Sequence, residues 1–113
     1  MSWDKEVQDL KNLRKQALKM GGDEAVNTQH AKGRLTVRER IELLLDKGSF
    51  KEHGAIAGGS IRDENGVLQD FTPANYITGL GNINGRPVAL GGEDFTVKGG
   101  SPNAAGLRKS VYA

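Results

Sequence analysis

Apolar residues recur at helical spacing over the first twenty positions. Trp3, Val7, Leu10, Leu13, Ala17 and Met20 form one stripe, with Lys5, Lys11, Arg14, Lys15 and Lys19 largely off it. The pattern predicts a first helix from about Trp3 to Met20, capped by Ser2 and ended by Gly21-Gly22. A short helix is expected around Asp23 to Lys32, ending at Gly33. A third is marked by Thr36-Val37-Arg38-Glu39, which has capping-box form: a hydroxyl placed to accept from the Glu39 amide and a carboxylate placed to reach back. Ile41, Leu44 and Leu45 give this helix a buried face, Gly48 suits a left-handed cap, and Phe50 can fold back onto that face.

Beyond His53 the helical period disappears. Gly58-Gly59, Asn65-Gly66 and Thr72-Pro73 are turn signals between short runs, and Asp63-Glu64-Asn65-Gly66 reads as an exposed hairpin tip. A strand is expected to lead up to Ile83. Asn84-Gly85 fits a two-residue type I′ turn, which needs positive φ at both central residues. A second strand follows, with Val88, Leu90, Phe95 and Val97 as its β-branched and aromatic members and Gly91-Gly92 interrupting it. Gly99-Gly100-Ser101 then lets the backbone turn sharply towards a helix over 104–113, and such a strand-end glycine pair before a helix suits a phosphate or thioester ligand.

Composition divides the chain at the same place. Residues 1–53 hold 4 glycines and residues 54–113 hold 12, so an organisational boundary falls near Gly48 to Gly54. We therefore expect a helical lead-in over 1–48 and a strand-rich part over 49–113. Net charge is only +2 and the pI near 9.0 reflects a small surplus. Asp4, Glu6 and Asp9 on the first helix, and the lack of an aromatic-basic surface, speak against nucleic acid as a partner. Without cysteine there is no disulfide and no thiolate metal site. No apolar run approaches the roughly 18 residues of a spanning helix, and the charged amino terminus is unlike a signal peptide; the expected setting is cytoplasmic, away from membranes.

Few side chains invite catalysis. His30 and His53 have no local partner at metal-ligand spacing, and Tyr76 and Tyr112 are better read as core or edge aromatics than as proton donors. Asp94 is expected to bond backbone amides and to position the glycine turn after it; Glu93, adjacent on a strand, faces the other way, so the two form no acid–base dyad. Around Gly33 and the start of the third helix lies the main basic cluster: His30, Lys32, Arg34, Arg38 and Arg40. Arginine forks suit the phosphates of a polyanionic ligand, because each planar fork can bond two oxygens at once. Ion pairing accounts for the same residues, for instance Arg38 with Glu42 one turn on, or arginines clasping a neighbouring subunit.

HAKGRLTVRERI, LLLDKGSF, INGRPV and DFTVKGGS, in this order, resemble the amino-terminal part of biotin-dependent acyl-CoA carboxyltransferases, the β subunits of propionyl-CoA and related acyl-CoA carboxylases. The resemblance covers roughly residues 25 to 101. It implies an α/β fold, the amino-terminal part of a crotonase-like ββα superhelix behind a helical lead-in. It also implies the chemistry: a carboxyl group passes from biotin, carried on a partner protein, to the α-carbon of a coenzyme A thioester. Biotin carboxyl carrier and biotin carboxylase components and a homo-oligomer are the implied partners. Paired backbone amides stabilise the oxyanions, so no catalytic side chain is required. On this reading Arg34, Arg38, Arg40, Gly99 and Gly100 lie on the coenzyme A side. Family members are longer and carry a GGAR-like glycine segment that does not occur before Ala113, so the expectation is a front portion, inert alone. Ser101-Pro102-Asn103 replaces the more usual Ser-Leu-Gly. A decarboxylase subunit built on the same domain and a non-catalytic assembly module are the alternatives.

Overall fold

The computed structural model describes residues 2–97, 99, 108, 109 and 111. Three helices come first: α1 (Asp4–Leu18), α2 (Asp23–Ala31) and α3 (Val37–Leu44). Among the described residues five strands follow: β1 (Lys51–His53), β2 (Gly58–Arg62), β3 (Leu68–Pro73), β4 (Tyr76–Ile83) and β5 (Arg86–Glu93). All strand pairs are antiparallel, in a three-stranded sheet of order β1-β4-β5 and a separate β2–β3 hairpin. The helix expected over 104–113 lies mostly outside the described residues, as do Ser101, Pro102, Asn103 and Tyr112.

The core gathers where α3 crosses the sheet. Ile41 and Leu45 pack with Ile77 of β4, and Val37, Phe50, Ile83, Val88 and Leu90 surround them. The approach is close: a Cβ on Gly81 would fall 2.5 Å from a Leu45 methyl, so a side chain at this strand position would displace the Leu45 side chain. The capping box is complete, Thr36 Oγ1 accepting from the Glu39 amide (3.3 Å) and Glu39 Oε1 from the Thr36 amide (3.0 Å). The β4–β5 turn has positive φ at Asn84 (51°) and Gly85 (78°), as type I′ requires. Asp46 holds that turn from outside, its carboxylate accepting from the amides of Asn84 (2.9 Å) and Gly85 (2.8 Å). Residues on both sides of Gly48 therefore share one core.

Several expectations need correction. α1 ends at Leu18, a left-handed Met20 (φ 54°) follows it, and Gly22 serves as the N-cap of α2, so the glycine pair joins two helices rather than terminating one. Ser2 bonds the Asp4 amide (3.2 Å), but the N-cap position belongs to Trp3. Only Ala17 of the α1 stripe is buried; Trp3, Val7 and Leu10 are exposed, because the hairpin meets only part of the helix. α3 stops at Leu44, and the left-handed Gly48 belongs to the next turn, where the Ser49 amide bonds the Asp46 carbonyl. Leu44 itself is exposed, so the buried face of α3 is Ile41 with Leu45 just beyond it. Strand β5 runs through Gly91-Gly92 and stops at Glu93, leaving Phe95 and Val97 in a turn. The ladder ends because Glu93 already faces the first residue of β4, Tyr76, and Asp94 turns the chain.

Candidate functional site

Helical geometry divides the basic cluster. Arg38 and Arg40 are two residues apart on α3, hence about 200° apart around it. Arg38 faces β1 and grips Glu52: Nη2 donates to Oε2 at 2.9 Å, and Nη1 lies 2.7 Å from Oε1 as an ion contact without an aligned N–H. Its partner is thus Glu52 across the fold rather than Glu42 on the same helix. Buried Lys109 lies close by, its Cε 3.4 Å from where a Cβ on Gly54 would sit. Burial holds its ammonium below the usual lysine range; neighbouring Glu52 works against that shift and Arg38 adds to it.

Arg40 faces the other way, into an open groove of about 400 Å³ that it lines with Gln29, Arg34, Leu35 and Phe95. Arg34 is placed there by the end of α2. Gly33 adopts φ 73°, and the Arg34 amide bonds back to the Gln29 carbonyl at 3.2 Å. The Gln29 side chain then donates to the Leu35 carbonyl at 3.4 Å, tying α2 to the segment that enters α3. His30 is occupied elsewhere, with Nε2 2.5 Å from Glu39 Oε1. That bond, together with the amide and hydroxyl of Thr36, lowers the Glu39 carboxyl to about 2.

The groove thus offers two arginine forks, an amide side chain, and the apolar surfaces of Leu35 and Phe95, the latter 55% exposed. Such a set can hold a phosphorylated ligand with a flat ring. Of the five residues singled out from sequence, Arg34 and Arg40 share this groove and Arg38 does not line it. Gly99 is exposed with φ 60°, and Gly100 lies outside the described residues. Phe95, expected in the second strand, lies in a turn after β5; its place between Asp94 and Thr96, both able to bond backbone, is the sequence signal for that turn. Tyr76 lies against Gly91 within the sheet, as a structural aromatic. Among the described residues, no three His, Cys, Asp or Glu side chains are grouped to hold a metal ion, and no helix is long and apolar enough to cross a membrane.

Comparison with known proteins places this geometry in a family. The carboxyl transferase domain matches residues 28–113. The propionyl-CoA carboxylase beta chain of Cereibacter sphaeroides is 47% identical over 97 residues, 84% of this chain and 19% of its own length. The human mitochondrial propionyl-CoA carboxylase beta chain is 42% identical over 106 residues, again 19% of its length. The chain therefore spans about a fifth of the curated relatives it matches. Among solved structures, transcarboxylase 12S with methylmalonyl-coenzyme A and methylmalonic acid bound superposes with a TM-score of 0.81 at 34% identity, over 99% of this chain and 22% of that one. The beta subunit of geranyl-CoA carboxylase from P. aeruginosa gives 0.72 at 28% identity, over 93% and 19% respectively.

Proposed function

The chain belongs to the carboxyl transferase domain family, with the α/β fold of the amino-terminal part of its crotonase-like domain, and from that premise we propose that it is the front portion of an acyl-CoA carboxyltransferase. The whole protein moves a carboxyl group from biotin, carried on a partner protein, to the α-carbon of a coenzyme A thioester. Biotin carboxylase and carboxyl carrier components are its partners, a homo-oligomer is its working form, and the cytoplasm is its setting.

The observation that carries this reading is the groove. Arg34 and Arg40 bring two guanidinium groups to one opening beside Phe95, which suits the phosphates and adenine of coenzyme A. Arg38 contributes by holding α3 against β1, and Gly99 by its left-handed turn after β5. On this reading the groove holds the nucleotide end of the thioester, and carboxyl transfer needs the rest of the carboxyltransferase, so the chain alone is inert.

Titration of the chain with coenzyme A, dephospho-coenzyme A and adenosine tests this. Saturable binding that weakens in that order, and weakens further with salt, is expected. Equal binding of all three, or none, overturns the assignment of the groove. Carboxyl transfer from carboxybiotin by the chain alone would overturn its inertness.

A further inference from the structure

The joint between α1 and α2 is fastened to the turn after β5, across 75 residues of sequence. The Gly21 amide donates to Thr96 Oγ1 at 2.9 Å. The Thr96 hydroxyl donates in turn to Asp94 Oδ1 at 2.5 Å, and the same oxygen accepts from the Thr96 amide at 2.9 Å. One hydroxyl thereby uses its proton and a lone pair together, in a chain ending on a carboxylate only 1% exposed. The backbones meet without space between them: a Cβ on Gly21 would fall 1.7 Å from the Thr96 carbonyl oxygen. The turn is pinned at its start as well, the Asp94 amide donating to the Asn75 carbonyl at 2.8 Å.

Asp94 and Thr96 are committed to these bonds on either side of Phe95, whose ring is left on the surface of the groove with Arg34 and Arg40. We infer that the relay Gly21–Thr96–Asp94 is a positioning device for Phe95, fixing the ring at the place where it meets the base of a nucleotide held by the two arginines. Thr96 and Asp94 touch no ligand; they act through Phe95. The inference rests on the groove reading above, and it adds that the helical lead-in, through Gly21, sets the geometry of the ligand site.

The test is a double-mutant cycle on the 113-residue chain, read by coenzyme A affinity and by exchange of the Gly21 amide hydrogen. Thr96→Val keeps the shape and removes both hydroxyl bonds; Thr96→Ser keeps them. We expect Thr96→Val to raise the Kd for coenzyme A about tenfold and to speed Gly21 exchange, with Thr96→Ser close to the original protein. In a Phe95→Ala background, Thr96→Val should add almost nothing, because both changes act through one ring. Additive losses, or a lowered Tm with unchanged affinity, would overturn the inference. Should Thr96→Val fail to fold, Asp94→Asn takes its place in the cycle, with a loss of about threefold expected and additivity again overturning. If the unaltered chain binds no coenzyme A, the groove reading fails by itself. The relay is then judged on Gly21 exchange, where faster exchange in Thr96→Val supports it and unchanged exchange overturns it.

Discussion

α3 and α1 both carry an apolar face, and only one of them makes a core. α3 lies across β4, with Ile41 4% exposed and Leu45 7% exposed, its start closed by a complete capping box and its far end leading to Asp46, which clamps the β4–β5 turn. α1 is nearly twice as long, yet Trp3 is 67% exposed and Leu10 46%, and only Ala17 is buried. The difference lies in the opposing surface. β4 presents Gly81 and Ile77, a shape that admits Leu45 beside a wide apolar neighbour, whereas the narrow β2–β3 hairpin covers part of one flank of α1. Amphipathic spacing marks a face fit for burial; burial depends on what the rest of the fold brings to it.

The comparison breaks most readily at Ile41. Ile41→Ala should cost about 3 kcal/mol, through lost burial and the cavity left under α3, measured as a fall in the urea midpoint at unchanged m-value. Val7→Ala on the exposed flank of α1 should stay within about 0.5 kcal/mol, since little burial is lost and alanine is the better helix former. Comparable losses at the two sites would show that α1 is packed as firmly as α3.

Asp46→Ala comes next, with an expected loss of about 2 kcal/mol, because two amides of the type I′ turn lose a charged acceptor. Amide exchange at Asn84 and Gly85 should rise while α1 is unaffected. A uniform rise across the chain would mean that the turn is not locally held.

A smaller effect is expected from pH. The Glu39 carboxyl stands at about 2 instead of its ordinary 4.5, held down by His30 and by the amide and hydroxyl of Thr36. A lowered carboxylate favours the folded state above its unfolded value, so this contribution is complete above pH 4.5 and is lost as pH falls through about 2. Glu39→Gln should flatten the acid limb of stability measured against pH. An unaltered acid limb would show that Glu39 does not couple α2 to α3.

The same contrast explains what could be read from the chain directly. The capping box and the Asn84-Gly85 turn are local devices whose geometry is written in adjacent residues, and each formed as expected. The resemblance rested on separated motifs in fixed order, and it identified the family. What failed depended on tertiary placement. Nothing local in Gly21 says that Thr96 will sit against it, and nothing in Arg38 names Glu52 as its partner. The basic cluster was legible as composition, but its division into one structural arginine and two groove arginines follows from helix phase combined with the position of β1. Phe95 was misplaced because β-propensity continued past Glu93, where the pairing partner had run out.

The most direct test of the account is an arginine comparison by calorimetric titration with coenzyme A beside thermal unfolding. Arg34→Ala and Arg40→Ala should each raise Kd about tenfold with little change in Tm, while Arg38→Ala should lower Tm by several degrees and leave the affinity of the folded fraction nearly as it was. Loss of affinity at Arg38 alone, with Arg34 and Arg40 silent, would contradict the division of the cluster and move the nucleotide site to the face of α3 that meets β1.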